Sequence, residues 1–411
     1  MSSEPNDSGR RWALGIIAVC SLGFSVGPIV NAVRQPDYNK DYSAWYGIGL
    51  EVRRDAPLYA SGANGEVLYM YPPTAAVLVF APLTFLGPVG FTAVLAAATA
   101  LAWAGCVVLA VRAATGRWRG HPRWYYVLVV LLGGIHVYDM FLLGQVNLIL
   151  LWLVLLAMES LRRGRSWLAG FCLALAIVVK VFPLPILVFW AVRREGRAIL
   201  ATIVCVVLFA SLPGLVRGPG RNADEWKQWF GLMVGDQSGE RMAARSSVGF
   251  TRRNQSLFAV AHRLTRNVDG GGVRVNVANL EPGQAQLVGL AAVGLLGLAL
   301  LAATRCRFAP TPEADALETA MVLILAVLAS PLAWTYFFCW LLPAWAALLH
   351  HGRTQAAIRL PVALGGLLLA SAFSEQFDPT LQAYGVTAAG SIVLFLTLAL
   401  LRRRIHSSPI Q

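Results

Sequence analysis

Residues 91–111 read FTAVLAAATALAWAGCVVLAV, an uncharged run closed by Arg112. A helix of about 20 residues spans the roughly 30 Å hydrocarbon core of a bilayer. Comparable apolar runs recur along the chain, at 12–32, 197–216, 285–304 and 383–401 among others. Of the 411 residues, 57% are hydrophobic and 13% are charged, against about 25% charged in soluble proteins. The runs do not alternate as barrel strands do. The chain therefore reads as an all-α polytopic membrane protein, one integral membrane domain over 1–411.

The basic residues set its orientation. The formal net charge is +13. Many of the arginines lie in short loops between apolar runs, the topogenic pattern of cytoplasmic loops, so nucleic acid is not the expected partner. Arg10 and Arg11 precede the first run and place the N-terminus inside. If 91–111 is the second span, Arg112, Arg117, Arg119, Arg123, Arg162, Arg163, Arg165, Arg193, Arg194, Arg197, Arg305, Arg307, Arg353 and Arg402–Arg404 all fall inside. That requires 71–87, broken at Pro82 and Pro88, to dip in from the outer face without crossing, held by neighbouring protein. The expected spans are 12–32, 91–111, 124–142, 145–160, 166–180, 182–192, 197–216, 285–304, 317–333, 335–349, 356–373 and 383–401. That makes about twelve, with both ends cytoplasmic; the shortest are 182–192 and 335–349. No small-residue cleavage site follows the first run. Five cysteines lie in apolar runs and Cys306 sits between Arg305 and Arg307, with no CxxC pair, so they read as packing residues.

The polar residues then collect on the outer face. The first outer loop, 33–73, carries Asp37, Asp41, an aromatic-rich stretch from Tyr42 to Val52, Asp55-Ala-Pro57-Leu-Tyr59 and Tyr71-Pro72-Pro73. The 42–52 stretch reads as a helix lying on the membrane surface. Asp41 is either its N-cap or a carboxylate base at the rim of a cavity, and the two are compatible. Asp37 is the rival acid, and Asp55 shapes a turn before Pro57.

Further along, Gly144-Gln145-Val146-Asn147 joins two runs with almost no linker. It is a tight turn or a pair of amides that hold sugar hydroxyls. His136 and Asp139 share a helix face at i and i+3. Lys180 closes an apolar run ahead of Pro183, and either snorkels to headgroups or binds a lipid phosphate. A long outer loop, 217–284, holds Trp226, Trp229, Arg241, Arg245, Arg252, Arg253, Asn254, Gln255, His262 and Arg263, with a short interfacial helix expected after Thr251. Ser330-Pro331-x-x-Trp334-x-Tyr336 and Ser374-Glu375-Gln376-x-Asp378 complete this face. There is no P-loop, no acidic DxD pair and no His/Cys metal cluster, which disfavours a nucleotide-sugar donor carried by a divalent metal.

Taken together and in order, Asp41 with its aromatic helix, Ala56-Pro57-Leu58-Tyr59, Tyr71-Pro72-Pro73, Gly144-Gln145-Val146-Asn147, Lys180-x-x-Pro183, Asn254-Gln255-Ser256-Leu257 and Ser330-Pro331-x-x-Trp334 resemble glycosyltransferase family 87 over roughly 37–345. The resemblance implies a type C membrane glycosyltransferase that uses polyprenyl-phosphate mannose, with outer-face loops, interfacial helices and an extracytoplasmic active site. It implies a base in the first outer loop, which maps to Asp41. Two positions depart from the family pattern: Tyr336 stands where a His is frequent, and His136 where a Pro is common.

The expected reaction is inverting hexosyl transfer at the plasma membrane, probed by these assignments: Asp41 as base; Lys180, Arg252 and Arg253 at the donor phosphate; Gln145, Asn147, Asn254, Trp334 and Tyr336 around sugar and acceptor. Donor and acceptor are a polyprenyl-phosphate lipid and a glycolipid or glycan, with no metal or other cofactor. The competing readings are a transporter or flippase, which calls for repeat-related broken helices around a midplane site, and a lipid-linked oligosaccharide ligase.

Overall fold

The computed structural model describes residues 8–59, 69–134, 136–233, 249–304, 311–372 and 379–407. Among the described residues the regular elements are all helical. In chain order the main ones are α1 (Ser8–Arg34), α2 (Lys40–Arg53), α3 (Gly87–Thr115), α4 (Arg123–Gly134), α5 (Val137–Leu143) and α6 (Asn147–Arg162). There follow α7 (Ser166–Val179), α8 (Pro185–Val192), α9 (Gly196–Ser211), α10 (Pro219–Met233) and α11 (Leu257–Thr265). The chain ends with α12 (Pro282–Thr304), α13 (Pro312–Ala329), α14 (Leu342–Gly352), α15 (Arg359–Ala370) and α16 (Val386–Ser407). Arg241, Arg245, Arg305, Cys306, Arg307 and the 374–378 stretch lie outside the described residues.

Five described helical runs are long and apolar enough to cross a membrane: Ser8–Arg34, Pro73–Thr115, Gly196–Arg217, Pro282–Thr304 and Val386–Ile405. A sixth is added if Arg123–Gly134 and Val137–Leu143 count as one bent span. Other intervals of the expected twelve hold shorter helices. α7 has 14 residues and α8 has 8, below the about 20 that a perpendicular crossing takes. The 335–349 interval divides into a 3-10 segment, Thr335–Leu341, and the start of α14, where Pro343 sits in the first helical turn, the place a missing N–H is tolerated.

The run Pro73–Thr115 is 43 residues long, more than one crossing uses. It is interrupted where the sequence reading breaks it. Residues 73–86 pass through α, π and 3-10 turns, and Gly87 (φ +69°) then opens α3. One face of this first segment packs against α2: Phe80 stacks on Trp45 at 5.3 Å, and Arg53 donates to Thr84 Oγ1 at 3.2 Å.

The chain forms two compact units. The first comprises 16–105 and 138–237. Within it α7 packs on α9 so closely that a Cβ on Gly170 would lie 2.5 Å from Ala201 Cβ, the small-residue contact that membrane helices favour. Val19 and Leu22 on α1, and Val207 and Leu208 on α9, are exposed; apolar side chains on outward faces suit a lipid solvent. The second unit comprises 1–15, 106–137 and 238–411. Its α15 and α16 meet at Gly365, where a Cβ would lie 2.5 Å from Leu394. Tyr125 on α4 donates to the Ala346 carbonyl on α14 at 2.7 Å. Glu318 on α13 and Arg402 on α16 form a fully buried ion pair at 2.7 Å.

Candidate active site

The site in the first unit is built on α2. Asn39, not Asp41, holds the N-cap position. Its side chain is buried and donates to the Pro28 carbonyl at 3.0 Å and to Thr92 Oγ1 at 3.4 Å. These bonds tie the start of α2 to α1 and α3. Asp41 falls in the first turn of α2, where the exposed N–H ends favour a negative side chain. Its carboxylate is thus available to a partner other than its own helix. Asp37 lies in the exposed turn Pro36–Tyr38.

One face of α2 buries Tyr42, Trp45, Gly49 and Val52. The Tyr42 hydroxyl donates to the Phe141 carbonyl at 2.9 Å, and the Trp45 indole donates to the Gly144 carbonyl at 3.1 Å. Gly144 has φ +81°, and a Cβ there would lie 2.8 Å from the Tyr42 ring. The residue must be glycine on both counts. The turn it makes presents Gln145 to Asp41 and starts α6 at Asn147.

Four side chains join Asp41 in one network. Gln145 Nε2 donates to Asp41 Oδ2. Gln145 Oε1 accepts from the Tyr71 hydroxyl at 3.1 Å. Lys180 donates to the Tyr71 oxygen at 3.3 Å and to Asn147 Oδ1 at 3.0 Å. Gln145, Asn147 and Tyr71 are buried, while Asp41 and Lys180 are half-buried. Burial raises the Asp41 carboxyl above the ordinary carboxylate range, opposed by the Gln145 hydrogen bond and by the charges of Lys180 and Lys40. A carboxylate that holds a proton more tightly is a stronger base. The Tyr71 ring is fixed by Trp45, edge-on at 4.4 Å, and Tyr59 donates to the Tyr71 carbonyl at 2.8 Å.

Sequence reasoning missed what holds α2 at its far end. The 219–233 stretch, read as loop, is α10. Arg217, just before it, is buried and pairs with Glu225 at 2.5 Å. Its guanidinium also donates to the Ala56 carbonyl at 2.7 Å and the Val52 carbonyl at 3.4 Å. Arg221 pairs with Asp55 at 2.6 Å, in the turn where Asp55 has φ +58°. Trp229 donates to the Met70 carbonyl at 3.2 Å. The traces of α10 were Pro219 at its first position and Trp226 and Trp229 three residues apart.

Arg252, Arg253, Asn254, Trp334 and Tyr336 belong to the second unit. Asn254 is fully buried. Its Nδ2 donates to the Gly249 and Pro331 carbonyls at 2.8 and 3.0 Å, and its Oδ1 accepts from the backbone of Ser256 and Ala333 at 3.1 and 2.9 Å. Both ends of this amide are committed to backbone, so it shapes the loop. Gln255 does likewise, donating to the Gln382 carbonyl at 2.7 Å. Ser256 caps α11, the short helix expected after Thr251, by accepting from the Ala259 N–H at 3.0 Å. Arg252 donates to the Gly271 carbonyl, and Arg253 is exposed. Trp334 and Tyr336 are half-buried, with Tyr336 stacked on Phe337 at 5.2 Å. Arg263 is buried among carbonyls, donating to those of Ala383, Thr251 and Asn254 at 2.7–2.8 Å; burial pulls it down to about 9. His136 precedes α5 and does not share its helix with Asp139; its ring lies 5.7 Å from Phe338. Among the described residues no three His, Cys, Asp or Glu side chains converge as metal donors.

A sequence model of glycosyltransferase family 87 matches residues 69–331, well over half of the chain. The chain belongs to glycosyltransferase family 87. The match begins at Tyr69 and takes in Tyr71, Gln145, Asn147, Lys180 and Asn254. Asp41 precedes it, and is joined to the family 87 region by the Gln145 bond.

Two curated proteins, each a polyprenol-phosphate-mannose-dependent alpha-(1-2)-phosphatidylinositol mannoside mannosyltransferase, are similar to this family 87 chain. The one from Mycolicibacterium smegmatis is 25% identical over 70% of this chain and 64% of its own length. The one from Mycobacterium tuberculosis is 26% identical over 76% of this chain and 71% of its own. The aligned part thus spans somewhat less than two thirds of the first relative and somewhat more of the second.

Proposed function

We propose that this family 87 chain transfers a mannosyl group from polyprenyl-phosphate mannose to a glycolipid acceptor, with inversion at the anomeric carbon. The observation that carries the reading is that a carboxylate and a lysine, Asp41 and Lys180, lie at the two ends of one hydrogen-bonded network in a chain of this family. Asp41 takes the proton from the acceptor hydroxyl. The hydroxyl oxygen bonds to the anomeric carbon, the bond from that carbon to the donor phosphate oxygen breaks, and the electron pair stays on the phosphate. Lys180 offsets the negative charge that develops there. Gln145 and Asn147, in the same unit, are assigned to sugar and acceptor, and within the second unit Asn254 acts through the loop it shapes. The phosphatidylinositol mannosides named for the two relatives are the first acceptors to try. The arginine distribution supports a cell-membrane location with cytoplasmic termini and Asp41 on the extracytoplasmic side.

The test uses membranes carrying the chain, labelled polyprenyl-phosphate mannose and phosphatidylinositol mannoside. A labelled glycolipid should form, and Asp41→Asn should lower its rate by about 100-fold or more, the range removed with a general base. Equal product from Asp41→Asn would reassign the base to Asp37. No product from the wild type would refute the donor or acceptor.

A further inference from the structure

We infer that Tyr71 is a positioning residue that sets the direction of the hydrogen-bond chain from Lys180 to Asp41, and so keeps the Gln145 amide turned with its N–H towards the base. This rests on the reading of Asp41 as the base. The polarity follows from which groups have hydrogens. A lysine ammonium only donates, so the Tyr71 oxygen accepts from Lys180 at 3.3 Å. The phenolic hydrogen is donated to the Gln145 side chain at 3.1 Å. Gln145 must meet that hydrogen with its carbonyl oxygen, which leaves Nε2 facing Asp41. Lys180 thereby acts on Asp41 twice, through space as a cation and through two neutral groups whose orientation it dictates.

The packing makes Tyr71 suited to this. Its ring is buried between Trp45 at 4.4 Å and Tyr69 at 6.0 Å, and its carbonyl is held by Tyr59. The hydroxyl therefore cannot swing away, and Gln145 is buried with it. Among the described residues the charged groups acting on Asp41 are Lys180 and, on its own helix, Lys40, with Tyr71 beyond Gln145. Neither lysine is removed by a change at Tyr71.

Without the phenolic hydrogen, the Gln145 oxygen loses the donor that holds it away from Asp41, and the amide can turn when Asp41 is protonated. A carbonyl oxygen can bond only to a protonated carboxyl, so the acid form gains and the base is lost at a higher pH. Tyr71→Phe keeps the ring and removes only the hydroxyl. The expected result is a rise in the Asp41 pKa of roughly one unit, the scale of one hydrogen bond to a charged group.

The experiment titrates Asp41 directly, by infrared difference spectra of purified protein with the Asp41→Asn spectrum subtracted. The same titration is run on Tyr71→Phe, Gln145→Leu and the double variant, and the acidic limb of the transfer rate is measured on each. Support is an upward shift in Tyr71→Phe that disappears in the Gln145→Leu background, matched by an upward shift of the acidic limb. An unshifted carboxyl in Tyr71→Phe overturns the inference, as does a shift that persists without Gln145. A uniform fall in rate at all pH values, with the carboxyl unmoved, is a folding effect and also overturns it. If the carboxyl shifts as expected while no variant, wild type included, transfers mannose, the relay stands and the proposed reaction fails.

Discussion

The indole N–H of Trp45 donates to the carbonyl of Gly144 at 3.1 Å, and the Tyr42 ring lies against the position a Cβ on Gly144 would take. Two buried residues of α2 thus lock the turn that delivers Gln145 to Asp41. Gly144→Ala adds a methyl group at φ +81° and 2.8 Å from that ring. Backbone strain of this kind costs about 1–3 kcal/mol. The variant should unfold at lower temperature in detergent and lose most transfer activity. A melting curve and rate equal to wild type would show that the turn does not depend on this contact.

Asp41→Asn separates function from stability. The folded state holds the Asp41 proton more tightly than the unfolded chain does, because burial disfavours the charge. The sign follows: lowering the pH through the raised pKa favours the folded state, and at neutral pH the buried charge is a cost. Asp41→Asn removes that cost. It should melt no lower than wild type at neutral pH while transferring no mannose. A melting point several degrees lower would make Asp41 a structural residue instead.

Arg217→Ala leaves the buried Glu225 to its longer contact with Arg221, at 3.4 Å, and releases the Val52 and Ala56 carbonyls. Breaking a buried pair from one side costs about 3–5 kcal/mol. The expected outcome is a steep loss of folded protein on size-exclusion chromatography. The double variant Arg217→Met with Glu225→Leu should recover much of it, since no buried charge is left alone. Failure of the double variant to recover would place the effect in the lost carbonyl bonds.

Asn254→Ala deletes four bonds to backbone and strands buried donors and acceptors at Gly249, Ser256, Pro331 and Ala333. Each stranded group costs about 1–3 kcal/mol. Asn254→Asp keeps the acceptor oxygen and loses the donors, so it should fall between wild type and alanine in thermal stability. The reverse order would mean that the acceptor bonds do not offset a carboxylate oxygen set against the Gly249 and Pro331 carbonyls.

Much of the architecture was legible in the sequence because bilayer crossing is a one-dimensional demand. A run such as 91–111 must be helical to satisfy its own backbone in lipid, and α3 is the result. A break before it was read from Pro82 and Pro88, and the structure places it at Gly87. Helix number was less legible. Length alone does not tell a full crossing from a short helix such as α8, which buries Ile186, Phe189 and Trp190 and exposes Val188 and Val192. The cluster residues were likewise visible as residue types out of place, for a Gln, an Asn and a Lys at the ends of apolar runs need partners.

Only the tertiary structure assigned those partners. Asp41 and Gln145 are 104 positions apart, and Tyr71 and Lys180 are 109 apart; no local pattern encodes such pairings. The same holds for Arg217, which closes α2 from across the first unit, and for Asn254, whose amide is spent on backbone. A hydrogen bond is set by distance and direction between atoms brought together by packing. The sequence by itself determined that this chain is a helical membrane protein with an acidic and aromatic stretch after its first apolar run; folding decided which of its buried polar groups orient one another.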